Sequence, residues 1–179
     1  MGRIEHIGLL ASYNQWMNAK LYAAANELPA VELSVNRQAF FGSILGTFNH
    51  LVVGDTLWLQ RFARHPANYP ALAPILNQPT PSSLDQQLFN DLKSLSQHRQ
   101  WLDAIICTRA AALTEPELEQ TLSYHNSQGV AANKQFYSLL MHFFNHQTHH
   151  RGQVTTLLSQ AGVSVGVTDL LALIPNQPN

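Results

Sequence analysis

Residues 136–162 read FYSLLMHFFNHQTHHRGQVTTLLSQAG, a proline-free run in which Phe136, Leu140, Phe143, Val154, Leu158 and Ala161 recur at helical spacing. At about 100° per residue, with Phe136 taken as the origin, Leu140, Phe143, Val154 and Leu158 fall between about 340° and about 40°, so one face of a long helix is apolar. Gly162 offers a natural stop. Proline breaks helix interiors, and all nine prolines fall outside this run (134–161) and three others, roughly 6–28, 37–65 and 84–113.

Each of the other stretches carries its own helical signature. The first places Ile7, Leu10, Tyr13, Met17, Leu21 and Ala24 three or four residues apart. The second sets Phe40, Ile44, Phe48, Leu51, Asp55, Leu59 and Phe62 along one face, with other apolar residues almost all the way round, and reads as the most buried helix. The third runs through Leu84, Leu88, Leu92, Leu95, Trp101, Leu102, Ile105 and Ile106, with Pro81-Ser82-Ser83 as its start and cap. Five prolines between Pro66 and Pro81 preclude a regular helix there and make a long crossover. Alternation around Thr121–Tyr124, followed by Asn126-Ser127-Gln128-Gly129, predicts a small hairpin. The expected architecture is all-α: one domain over 1–179, a four-helix bundle with a long crossover between helices 2 and 3 and a small hairpin before helix 4.

Composition narrows the function classes. Ten lysines and arginines against eleven acidic residues, scattered along the chain, argue against nucleic-acid binding. No apolar run approaches the length needed to cross a bilayer, and the N-terminus lacks the pattern of a secretion signal, so a cytoplasmic location with no membrane partner is expected. The single cysteine, Cys107, fits a reducing compartment and reads as a small core hydrophobe.

Nine histidines stand out in this composition. His142/His146 and His146/His150 are both i,i+4 pairs on the fourth helix, a spacing that lets two imidazoles share one metal ion. By the same angular count His146 lies at about 280° and His150 at about 320°, bracketing Leu139 and Leu157, whereas His142 lies at about 240° and His149 at about 220°. The inward pair is His146 with His150. A third ligand must come from elsewhere, and the second helix offers His50, in a row Gly42, Gly46, His50, Gly54 whose glycines permit close approach. Spacing and facing leave two readings open, a metal site and a set of hydrogen-bonded core histidines. Asp55, a carboxylate on an apolar face, is either a structural hydrogen-bond partner or an anchor behind a metal ligand. His6, His65, His98, His125, His142 and His149 read as surface or boundary residues, His149 being the neighbour most easily confused with a ligand. Arg151, rotated to about 60°, either packs or faces a substrate.

Three segments, YNQWMNAKLY (13–22), NHLVVGDTLWLQRF (49–62) and NHQTHHRGQV (145–154), in this order and separation, resemble the DinB-like (DinB/YfiT-like) family of metal-dependent proteins over nearly the whole chain. The resemblance implies a four-helix bundle with a long crossover and a divalent metal held by one histidine of the second helix and two of the last, here His50, His146 and His150. TDLLALIP (168–175) resembles the family's short C-terminal helical element. Homodimers are likewise implied.

Imidazole ligands suit zinc or nickel, with iron or manganese as further candidates, and three neutral ligands leave the ion open positions, as in catalytic sites. Related enzymes in the superfamily use a low-molecular-weight thiol, so the resemblance implies a metal-dependent transferase of thiol-transfer type acting on a small-molecule substrate. The alternatives are a metal-assisted hydrolase and a stress-related metal-binding or interaction protein without turnover.

Overall fold

The computed structural model describes residues 2–176, so Met1 and residues 177–179 of the expected domain lie outside the described residues. The protein is mostly helical, with one two-stranded antiparallel hairpin. Four long helices dominate: α1 (Arg3–Ala25), α3 (Ile44–Phe62), α4 (Leu92–Ala111) and α6 (Phe136–Gln160). Two short helices, α2 (Ala30–Ser34) and α5 (Glu115–Leu118), fall in connections, as do 3-10 segments over Pro70–Asn77 and Leu170–Leu173, the second within the expected closing element. Helices α1 and α3 each pack against both α4 and α6. The most buried element is α3, with 15 of its 19 residues buried, as its all-round apolar sequence predicts.

Two helix starts differ from the sequence reading. The second long helix begins at Ile44, because Ser43 takes an extended conformation and its side chain accepts from the Gly46 N–H. Residues 37–43 form a tight loop instead, closed by an Ala39–Gly42 bridge, with Gln38 and Gly42 at φ +57° and +72°. Phe40 is therefore no core residue but 87% exposed, and Gly42 does not belong to the helical row. The third long helix begins at Leu92, where the Asp91 carboxylate accepts from the Ser94 N–H and outcompetes the Pro81-Ser82-Ser83 start. Residues 84–91 thereby join the crossover, and Leu84 is exposed.

Two buried amides on α3 bind the crossover's backbone. Gln60 donates to the Gln78 carbonyl at 2.9 Å and accepts from Thr80 Oγ1, and Asn49 accepts from the Leu88 and Phe89 N–H groups and donates to Phe89 O. Backbone that cannot pair in a helix is thus satisfied where it is buried. The hairpin forms where predicted, β1 (Thr121–His125) against β2 (Ala131–Gln135), and Gly162 ends α6 at φ +84°.

A closed cycle of polar contacts joins the four long helices in the core. Asp55 of α3 accepts from Arg99 Nη1 of α4 and, at 2.7 Å, from Gln147 Nε2 of α6. Gln147 accepts from Arg151 Nη1, which also donates to Asn14 Oδ1 of α1. Asn14 Nδ2 donates to Asp103 Oδ1 at 3.0 Å, and Asp103 returns to Arg99 as an ion pair at 3.0 Å. All six residues are at most 3% exposed. Two carboxylates against two guanidiniums make the cycle neutral, the condition on which buried charge is tolerable. Removing one member leaves its partner's charge uncompensated, so Arg99→Met is expected to cost about 3–5 kcal/mol of stability. In guanidinium unfolding its midpoint should fall at unchanged slope, and Asp55→Leu combined with Arg99→Met should cost less than the sum of the two.

Candidate metal centre

Helices α3 and α6 run antiparallel along a shared seam, in which His50 meets His150 and His146, Gly54 meets His146, and Trp58 meets His142. The Nε2 atoms of the three inward rings converge: His50 Nε2 lies 3.2 Å from His146 Nε2 and 3.1 Å from His150 Nε2. His50 is buried and the other two are half-buried. One ligand atom from each lies within 4.8 Å of the others, and no cysteine or carboxylate joins them among the described residues.

Second partners decide which ring nitrogen is bare. His50 Nδ1 is 2.7 Å from the Leu84 carbonyl, which can only accept, so the proton sits on Nδ1 and the Nε2 lone pair points to the cluster. His150 Nδ1 likewise donates to Gln153 Oε1 at 2.8 Å. Two bare nitrogens then face each other at 3.1 Å with no proton available to join them. Burial also opposes protonation, holding the His50 imidazole down at about 4 and His146 at about 3, with mutual repulsion adding to the effect, and it lowers His150 as well. A divalent cation is the species this arrangement fits. Nitrogens about 2.0–2.1 Å from a tetrahedral zinc stand about 3.3 Å apart, close to the two separations seen.

Two features shape the room around these rings. A Cβ on Gly54 would lie 2.8 Å from His146 Cε1, so the absent side chain is the space that His146 fills. Phe41 stacks on His50 at 3.7 Å between ring centroids and presents itself at a steep angle to His150 at 5.5 Å, walling the cluster on the loop side.

The structure thus brings together all three histidines proposed as ligands and leaves Asp55 out. Its carboxylate belongs to Arg99 and Gln147, and the backing of His50 and His150 is supplied by Leu84 O and Gln153 instead. His142 and His149 are exposed, and His149 accepts from Gln153. His65 is not a surface residue: it is 2% exposed, accepts from the Ala67 N–H and stacks on Tyr69. Arg151 packs, buried in the polar cycle. Cys107 contacts the Ala11 carbonyl, and burial raises its thiol above the usual range, the opposite of activation. Sequence reasoning missed Gln153, Asn49 and Phe41. The first is legible as an amide three residues after His150, one turn away on the same helix. The other two carry no local signal, since their roles depend on which loop folds back on α3.

A mostly helical protein that gathers three imidazoles from two helices belongs among helical proteins with a candidate three-histidine metal centre. The chain is a member of the DinB family, whose sequence profile matches residues 1–178. It is 27% identical over 161 residues to Protein DinB of Bacillus subtilis (strain 168), an alignment covering 89% of this chain and 88% of that protein. No solved structure gives a significant match.

Gly54→Ala should displace the His146 ring without unfolding α3, since alanine is the better helix former, and should weaken divalent-metal binding at least tenfold in a competition titration with a chromogenic chelator. The depressed imidazoles also set a pH dependence in chelator-treated protein. Unfolded histidines take up protons near pH 6.5 and the buried ones only near pH 4 or below, so the unfolded state binds more protons in between and stability falls as pH falls. Thermal melts from pH 7 to pH 5 should show that loss, with a shallower slope in His146→Leu.

Proposed function

We propose that this protein binds a divalent metal ion through His50, His146 and His150 and is a metal-dependent enzyme of thiol-transfer type acting on a small molecule. The observation that carries the metal reading is the 3.1 Å approach of two Nε2 atoms whose protons are committed to the opposite side of each ring. Around this centre the four long helices read as a four-helix bundle with a long crossover, and two copies as a homodimer.

A divalent ion held there supplies a Lewis acid that favours the ionised form of a thiol or water at neutral pH. The chain's own part is to keep the donors neutral and fixed. Leu84 O and Gln153 hold the tautomers, Gly54 gives His146 its place, and Phe41 excludes water from one side. Neutral donors leave the ion's charge undiminished, which suits stabilising an anionic nucleophile. The sequence resemblance to thiol-using relatives supports the choice of thiol; no helix of the described residues is long and apolar enough to cross a membrane.

Elemental analysis of tag-free protein prepared without chelators tests the centre. Near-stoichiometric metal in the parent should be lost in His50→Ala and His150→Ala, whereas a parent that takes up no divalent ion on reconstitution returns the three rings to a structural role. With metal loaded, consumption of low-molecular-weight thiols by model electrophiles should exceed that of the two variants. Equal rates in all three would remove the thiol-transfer reading.

A further inference from the structure

The seam that carries the histidines continues beyond them to an arginine with no acidic partner among the described residues. On α3, Arg61 stands eleven residues after His50, about 16 Å along the helix and turned by only about 20° from it, so the two share one stripe. Its guanidinium lies over the Trp58 ring at 4.7 Å and over the Tyr124 ring of β1 at 5.3 Å. Trp58 in turn meets His142, and His142 is one helical turn from His146, with ring centroids 6.1 Å apart. A continuous strip therefore runs from the three imidazoles through His142 and Trp58 to Arg61.

Other arginines show what is unusual here. Arg3, Arg37, Arg99 and Arg109 each pair with a carboxylate, and Arg151 is bound by buried amides. Among the described residues neither Arg61 nor Arg64 pairs with a carboxylate or donates a side-chain hydrogen bond, but Arg64 is exposed whereas Arg61 is half-buried, and burial, with repulsion from Arg64, lowers the affinity of Arg61 for its proton. Contact with two rings fixes the guanidinium and satisfies none of its N–H donors. A fixed, planar fork of free donors matches the oxygens of a carboxylate or phosphate. We propose that Arg61, with Trp58 and His142 beside it, binds the oxyanion of a small-molecule ligand whose other end reaches the histidine centre. The substrate class is thus an elongated small-molecule acid. The second half of this statement rests on the proposed metal-dependent function, and the first half stands without it.

The test uses the full chain, 15N-labelled, with zinc added in excess, at low ionic strength. Glutarate and inorganic phosphate are titrated while the Trp58 indole N–H is followed, assigned by its absence in Trp58→Phe. Saturable shifts that sodium chloride at equal ionic strength does not produce are expected, with the tighter of the two anions naming the oxyanion. Arg61→Gln should weaken binding at least tenfold and Arg61→Lys by less, with both variants folded by circular dichroism. If Arg61 only ties the hairpin to α3, neither anion moves the resonance in the parent, or both move it equally in Arg61→Gln, and the proposal is overturned. His50→Ala separates the two readings: its shift should persist even where metal content is lost.

Discussion

Buried charge that closes on itself is the constraint from which the rest of this molecule follows. Asp55, Arg99, Asp103 and Arg151, tied through Asn14 and Gln147, take one polar group or more from each of the four long helices. An apolar core tolerates sliding by a turn or a rotation of some degrees at modest cost, but a hydrogen-bonded ion pair in low dielectric does not. Each contact thus fixes rotation as well as proximity. Gln147 and Arg151 sit one residue after His146 and His150, and Asp55 one residue after Gly54. Holding those polar residues inward turns the adjacent histidines onto the seam where α3 and α6 meet.

That division of labour explains why the site contains so few polar residues of its own. Orientation of the helices is set in the core, and orientation of the rings is set by two short-range partners, the Leu84 carbonyl and the Gln153 amide. The remaining requirement is space, which the missing side chain of Gly54 provides. A centre assembled this way is rigid because rigid elements carry it, with one acceptor, the Leu84 carbonyl, borrowed from a loop that Asn49 has already pinned.

Much of this is legible in the residues. Three of the proline-free stretches contain a long helix whole and the first contains all of α1 but its opening residues Arg3–Glu5, and angular position alone separates His146 and His150 from His142 and His149. Two helix starts escape such a reading because apolar spacing continues through Phe40 and through Leu84 and Leu88, while the caps that end it, Ser43 and Asp91, are single polar residues of a kind found anywhere on a surface. Asp55 stands out as a carboxylate in need of a partner. That partner, Arg99, is 44 residues away, and no local pattern distinguishes it from an exposed arginine on α4. The Leu84 contact is invisible for a plainer reason: a backbone carbonyl has no identity in the sequence.

The sequence separations within the centre also impose an order of assembly. His50 is 34 residues from the carbonyl that fixes its tautomer, and 96 and 100 residues from its two companions. A ribosome-bound chain that has emitted α3 and the crossover owns one imidazole of the set, and an isolated α6 owns two at i,i+4, a weak pair for any ion. Contacts this distant close late, after the helices that carry them have docked. Any affinity for an ion at this seam would therefore belong to the finished molecule alone, so that uptake of an ion would report, chain by chain, on whether folding has run to completion.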